Sequence, residues 1–249
     1  MSSKFSTFIC QNCGSETSQY FGRCVNCNEW NTIVEERKNT RAKTINVNKS
    51  KKSKLFNEIE IDTVSRFTSG FKEFDRVLGG GIVPGSIVLL GGEPGIGKST
   101  IVLQSAGKIS LNEKVLYITA EESLEQVKIR WERLQQNSLD LKIYAETNLS
   151  LIIEEIKKIK PSFAIIDSIQ AINNDEMESA PGSVSQVRTC SSELQNLAKE
   201  NNIALLIIGH VTKDGALAGP KTLEHLVDVV LNFEGDNIAS HRSVSYTHL

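Results

Sequence analysis

Two runs of this 249-residue chain carry residue types whose spacing points to chemistry. The first is Gly92-Glu93-Pro94-Gly95-Ile96-Gly97-Lys98-Ser99, followed by Thr100, which fits G-x-x-x-x-G-K-[ST]. Glycines at these positions let several backbone N–H groups turn inward on phosphate oxygens. The positive end of a following helix dipole falls at the same place. Lys98 is placed to reach the β- and γ-phosphates of ATP, and the Ser99 hydroxyl to ligate Mg²⁺. The second run holds Cys10, Cys13, Cys24 and Cys27, two Cys-x-x-Cys pairs ten residues apart. Four thiolates at that spacing suit closed, tetrahedral Zn²⁺ coordination, a structural rather than catalytic arrangement.

Hydrolysis of a bound triphosphate needs more than a loop. Asp167 ends the apolar run Phe163–Ile166 and is placed to hold the Mg²⁺ water shell beside Ser99. A strand-end Asp also serves as a plain cap, so the loop gives it its meaning. Glu121 and Glu122 follow the run Val115–Thr119. Glu121 is the candidate to polarise the attacking water, with Glu122 second. Their bland role is to complement a helix dipole. His210 closes "IALLIIGH", where it could sense the γ-phosphate, although a lone strand-end histidine is more often structural.

These residues need an alternating scaffold. Ile87–Leu90, Val115–Thr119, Phe163–Ile166, Ile203–Ile208 and Val229–Phe233 read as short buried strands. Thr100–Ile109, a segment opening at Ser123 with a Ser-x-x-Gln capping box, Leu149–Ile159 and Val184–Leu197 read as helices. That order predicts an α/β fold with a mostly parallel sheet covered on both faces. The cysteine segment is too small for a core of its own, so metal would supply most of its folding energy. Cys190 reads as core on a helix face.

The net charge of −2, with 39% hydrophobic and 23% charged residues, is ordinary for a globular protein and leaves nucleic-acid binding open. No apolar run of membrane-spanning length and no signal core is present, which predicts a cytoplasmic protein without membrane partners. Seven basic residues and no acidic one lie between Lys38 and Lys54. They read as a solvated linker or as a strap for a phosphate backbone. The expected organisation is a C4 zinc finger over 1–34, a basic linker over 35–58 and an ATPase core over 59–240.

Together the stretches "SGFKEFDRVLGGGIVPGSIVLLGGEPGIGKST", "AEES", "FAIIDSIQ", "GHVTKDGALAGPKTLEHLVDVVLNFEGD" and the four-cysteine module ending in "NEWNT" resemble the bacterial RadA family. These are RecA-related DNA repair ATPases with an N-terminal zinc finger. The resemblance implies a RecA-like P-loop NTPase core and a zinc ribbon of rubredoxin-knuckle type. It implies a DNA-dependent ATPase that processes branched recombination intermediates, with ATP, Mg²⁺ and Zn²⁺ as cofactors. Single-stranded and branched DNA are the implied partners. A homo-hexamer in the full-length protein and a recombinase partner such as RecA are also implied. Lys98, Ser99 and Thr100 would hold nucleotide and Mg²⁺, Glu121 would be the catalytic glutamate and His210 the γ-phosphate sensor. Val211–Pro220 would face DNA, with Lys213 as a phosphate contact; Arg23 offers a second one on the zinc module.

Past "FEGD" the family continues into a Lys-Asn-Arg-Phe-Gly strand and a Lon-protease-like domain, whereas this chain reads "NIASHRSVSYTHL". Residues 241–249 therefore read as a non-native tail of adapter type. Two other readings stand beside the main one. A KaiC-like ATPase with a signalling role would hydrolyse ATP without regard to DNA. A zinc-dependent adaptor would bind ATP and not turn it over.

Overall fold

A computed structural model describes residues 6–37, 55, 66–135, 140–210, 221–235 and 242–247. Of the basic linker expected over 35–58, residues 38–54 and 56–58 lie outside the described residues, as do residues 211–220 with Lys213 and residues 241, 248 and 249 of the expected tail.

The cysteine segment forms a three-stranded antiparallel sheet of β1 (Ser6–Cys10), β2 (Glu16–Thr17) and β3 (Ile33–Arg37), in the order β2-β1-β3. Its interior consists of Cys10, Cys24 and Ile33, with Phe8, Cys13 and Cys27 packed against them.

The rest is an α/β layer structure. Short helix α1 (Lys72–Val77) leads into β4 (Ile87–Gly92), α2 (Lys98–Ile109), β5 (Val115–Thr119), α3 (Leu124–Arg133) and β6 (Leu141–Ala145). Next come α4 (Leu149–Ile159), β7 (Phe163–Asp167), a 3₁₀ turn over Ile169–Ala171, and α5 (Val184–Asn201). The chain continues through β8 (Ala204–Ile208), the short α6 (Lys221–Glu224), β9 (Val229–Gly235) and β10 (Arg242–Thr247). The seven strands lie in the order β10-β9-β4-β8-β7-β5-β6. All neighbours are parallel except β10, which runs antiparallel along β9 from Arg242 opposite Gly235 to Thr247 opposite Val230.

Local chemistry sets the boundaries. Ser123 caps α3 by accepting from the Gln126 N–H, while the Gln126 side chain accepts from the Ser123 N–H, the reciprocal box read from the sequence. Asn148 caps α4 by accepting from the N–H groups of Ser150 and Leu151. Alternate residues of the apolar strands feed two cores. Leu116, Ile118, Ala164 and Ile166 face α4 and α5, while Val115, Tyr117, Phe163 and Ile165 face α1, α2 and α3. Cys190 is fully buried in the first core. Leu124 stands 47% exposed at the start of α3.

Candidate nucleotide-binding and metal sites

The carboxyl ends of β4, β5, β7 and β8 point the same way, and open parallel sheets bind ligands at that edge. The loop Gly92–Gly97 leaves β4 there and α2 begins immediately after it. Gly97 caps α2 with φ 107°, a left-handed conformation that a side chain would strain. At Gly92 an added Cβ would stand 2.5 Å from the carbonyl oxygen of Phe233 on β9, so the loop strand fits against its neighbour only without a side chain. Glu93, Pro94 and Gly95 are exposed, and Ile96, Ser99 and Thr100 are partly so.

Lys98 is buried, and its Nζ donates to the carbonyls of Gly92 at 2.8 Å and Glu93 at 2.9 Å. The ammonium thus spans the mouth of its own loop. Burial lowers its pKa, while Asp167 and Glu121 oppose that shift by favouring the charge.

Three more sequence candidates converge on this edge. Asp167 ends β7 and is buried, and the Ser99 hydroxyl is near enough to favour its charged form, which puts the two oxygen donors proposed for Mg²⁺ in one place. A serine hydroxyl beside a carboxylate is a hard donor set that suits Mg²⁺. Burial pushes the Asp167 carboxyl above the usual range, and its hydrogen bonds pull it back. Glu121 follows β5 and accepts from Ser168 Oγ, the residue after Asp167, and its Oε1 lies 2.9 Å from Nε2 of His210. The hydrogen bond with His210 is the main reason its carboxyl titrates below the ordinary range. His210 follows β8, and its other ring nitrogen is buried without a partner among the described residues.

The neighbouring glutamate is used differently. Glu122 pairs with Arg130 at the end of the second turn of α3, and its backbone carbonyl accepts from Thr119 Oγ1 at 2.8 Å. Glu121 therefore faces the phosphate loop's partners and Glu122 faces its own helix.

At the amino end the two Cys-x-x-Cys turns have the same build. Gly14 and Asn28 each follow the second cysteine of a pair with φ 70° and 63°. Their N–H groups donate to Cys10 and Cys24 at 2.8 and 3.0 Å. The pairs cross, with Cys10 Sγ 3.6 Å from Cys27 Sγ and Cys13 Sγ 3.6 Å from Cys24 Sγ, and all four sulfurs lie within 4.8 Å of one another. Four sulfurs around tetrahedral Zn²⁺ would stand about 3.8 Å apart, so this donor set fits that ion. The Asn26 backbone N–H donates to Cys24 Sγ at 3.4 Å and its side chain to Cys13 Sγ at 3.5 Å, the outer support a thiolate needs.

Arg23 is exposed on this module. Its Nε donates to the Asn28 carbonyl at 2.8 Å and its guanidinium lies 5.7 Å from the Trp30 ring. Arg188 on α5 donates to the Gly14 carbonyl at 3.1 Å, tying the first cysteine turn to the large domain.

Sequence reading missed Tyr117, Ser168 and Arg188. Ser168 had a weak signal in following Asp167 directly. Tyr117 sits mid-strand among apolar residues and Arg188 on a helix with other polar side chains, so neither carried one.

Comparison with known proteins agrees with this geometry. The rubredoxin metal binding domain family matches residues 8–35 and the AAA domain family matches residues 52–216. The DNA repair protein RadA of Listeria monocytogenes is 49% identical over 94% of this chain and 52% of its own length. That of Streptococcus pyogenes serotype M6 is 50% identical over 95% and 53%, and that of Synechocystis 45% over 94% and 53%. The chain thus spans about half the length of the curated relatives it matches. Among solved structures, a KaiC-like protein of Pyrococcus horikoshii superposes with a TM-score of 0.56 at 21% identity, over 75% of this chain and 89% of that one, a likeness of fold. Among the described residues no helix is long and apolar enough to cross a membrane. With a phosphate loop, an acid pair and a four-cysteine knuckle in these places, the chain belongs to the AAA domain family and is a homologue of the DNA repair proteins RadA.

Proposed function

We propose that this chain is the ATP-hydrolysing portion of a DNA-dependent motor that processes branched recombination intermediates. The observation that carries the reading is the meeting of Glu121, Ser168 and His210 beside the Lys98–Ser99–Asp167 group. Backbone N–H groups of the loop and Lys98 would bind and orient the triphosphate. Ser99 and Asp167 would hold Mg²⁺, which when bound neutralises phosphate charge. Glu121 would accept a proton from the water attacking the γ-phosphorus, as the bond to the β-phosphate oxygen breaks. His210 contacts that glutamate and is followed in sequence by residues 211–220, which would face DNA with Lys213.

The four cysteines would hold one structural Zn²⁺, and Arg23 is the candidate phosphate contact on that module. A cytoplasmic homo-hexamer in the full-length protein, acting with a RecA-type recombinase, completes the reading. DNA binding without base reading should be salt-sensitive.

ATP hydrolysis with and without single-stranded DNA, for the wild type against Lys98→Ala, tests it. Stimulation by DNA that disappears in the variant supports the motor. Hydrolysis indifferent to DNA would favour the KaiC-like alternative, whose support here is one of fold.

A further inference from the structure

Tyr117 is fully buried in the middle of β5, on the sheet face covered by α2 and α3. Packing alone would be served there by phenylalanine, and a phenol that leaves water must find a hydrogen-bond partner. Its partner is the Asp167 carboxylate, whose Oδ2 accepts from the Tyr117 hydroxyl at 2.5 Å. Strand pairing brings the two together. In the parallel β5–β7 ladder Tyr117 lies opposite Ile165 and Thr119 opposite Asp167. Residues 117 and 167 thus share one face of the sheet, one pleat apart. Ser99, on the phosphate-loop helix, stands near the same carboxylate and favours its charged form. A carboxylate at a strand end is free to rotate about its side-chain bonds, and a buried donor fixed in the neighbouring strand removes that freedom.

We propose that Tyr117 is a positioning residue for the divalent cation: by holding Oδ2 of Asp167 it fixes the carboxylate's rotamer beside Ser99, ready for the Mg²⁺ of a bound nucleotide. The inference rests on the nucleotide-binding reading given above. It assigns the Tyr117 hydroxyl to cation binding and leaves the grip on the nucleotide itself to the loop and Lys98.

The test is a Mg²⁺ titration of fluorescent ADP-derivative binding by the 249-residue chain, wild type against Tyr117→Phe. Losing a hydrogen bond to a charged group should raise the half-saturating Mg²⁺ concentration about tenfold or more. Nucleotide affinity without Mg²⁺ should stay within about twofold, as expected where no direct ligand contact is lost. In an Asp167→Asn background the same change should be silent, because the two residues act as one unit. Ile165→Val, a change in the same apolar layer, should leave the Mg²⁺ dependence in place. An unchanged Mg²⁺ titration in Tyr117→Phe overturns the proposal, as does an equal shift in Ile165→Val. A wild-type chain that binds no nucleotide at all overturns the nucleotide-binding reading first, and this inference with it.

Discussion

Nε2 of His210 lies 2.9 Å from Oε1 of Glu121, joining residues that follow β8 and β5, with β7 between those strands. Ser168, at the end of β7, donates to the same oxygen. Two neighbouring strands thus each deliver one group to a carboxylate carried by a third. A glutamate that is to take a proton from water must be ionised, and this contact keeps it so.

The first prediction concerns pH. Because His210 holds the Glu121 carboxyl below the ordinary range, the group stays charged as the solution is acidified past about pH 4.3. Its contribution to folding is present above the unfolded pKa and lost as pH falls through the lower folded value. That contribution is small, since the side chain is 42% exposed and screened. In His210→Ala the carboxyl should titrate higher, and the acid limb of the hydrolysis profile should move to higher pH. A pH–rate profile checks this; an acid limb that does not move would show that His210 does not set the ionisation.

Glu122 should matter for folding rather than turnover. Its partner Arg130 has an 18% exposed side chain and would be left without its carboxylate in Glu122→Gln. The expected cost is about 1–3 kcal/mol, read as a lower midpoint in thermal or denaturant unfolding. The hydrolysis rate per folded molecule should stay within a few-fold.

Gly92→Ala should act through shape. The new methyl would meet the Phe233 carbonyl at 2.5 Å, and β4 must move off β9 or the loop must shift. Overpacking of this kind costs about 1–3 kcal/mol. Nucleotide affinity should fall together with stability, measured by calorimetric binding and unfolding on the same sample. Full affinity in a stable Gly92→Ala chain would contradict the fit between loop and neighbouring strand.

The cysteine module should bind one zinc per chain and release it on acidification. The Cys24 thiol is drawn down to about 6, with the Cys27 backbone N–H as the largest cause. It is therefore ready to lose its proton to a metal near neutral pH. Metal analysis should find one zinc in the wild type and little in Cys24→Ser. Retention of full zinc content by that variant would remove the four-thiolate assignment.

Legibility followed how local each signal is. The phosphate loop is contiguous, so its residues and the flanking strand and helix were readable in one pass. The Ser123 box was equally plain, since both partners lie within one helical turn. Glu121, Asp167 and His210 were each legible as strand-end groups, but their meeting depends on the strand order, which no local pattern states. Tyr117 was hidden because "VLYIT" reads as uniform core. Leu141–Ala145 went unassigned because an edge strand with Lys142 in it is only partly buried. Helix α1 escaped because six residues give too little of a helical period. Arg242–Thr247, read as tail sequence, lines the sheet edge beside β9 through backbone pairing that depends little on side chains.

The measurement that bears most directly on the central claim is single-turnover ATP hydrolysis with single-stranded DNA by the wild type, Glu121→Gln and Glu122→Gln, each checked for nucleotide binding. The account predicts that all three bind Mg²⁺-ATP and that Glu121→Gln alone loses turnover, by about a hundredfold or more. Loss of turnover in Glu122→Gln with Glu121→Gln active would contradict it, because the acid paired with Arg130 would then be the one that activates water.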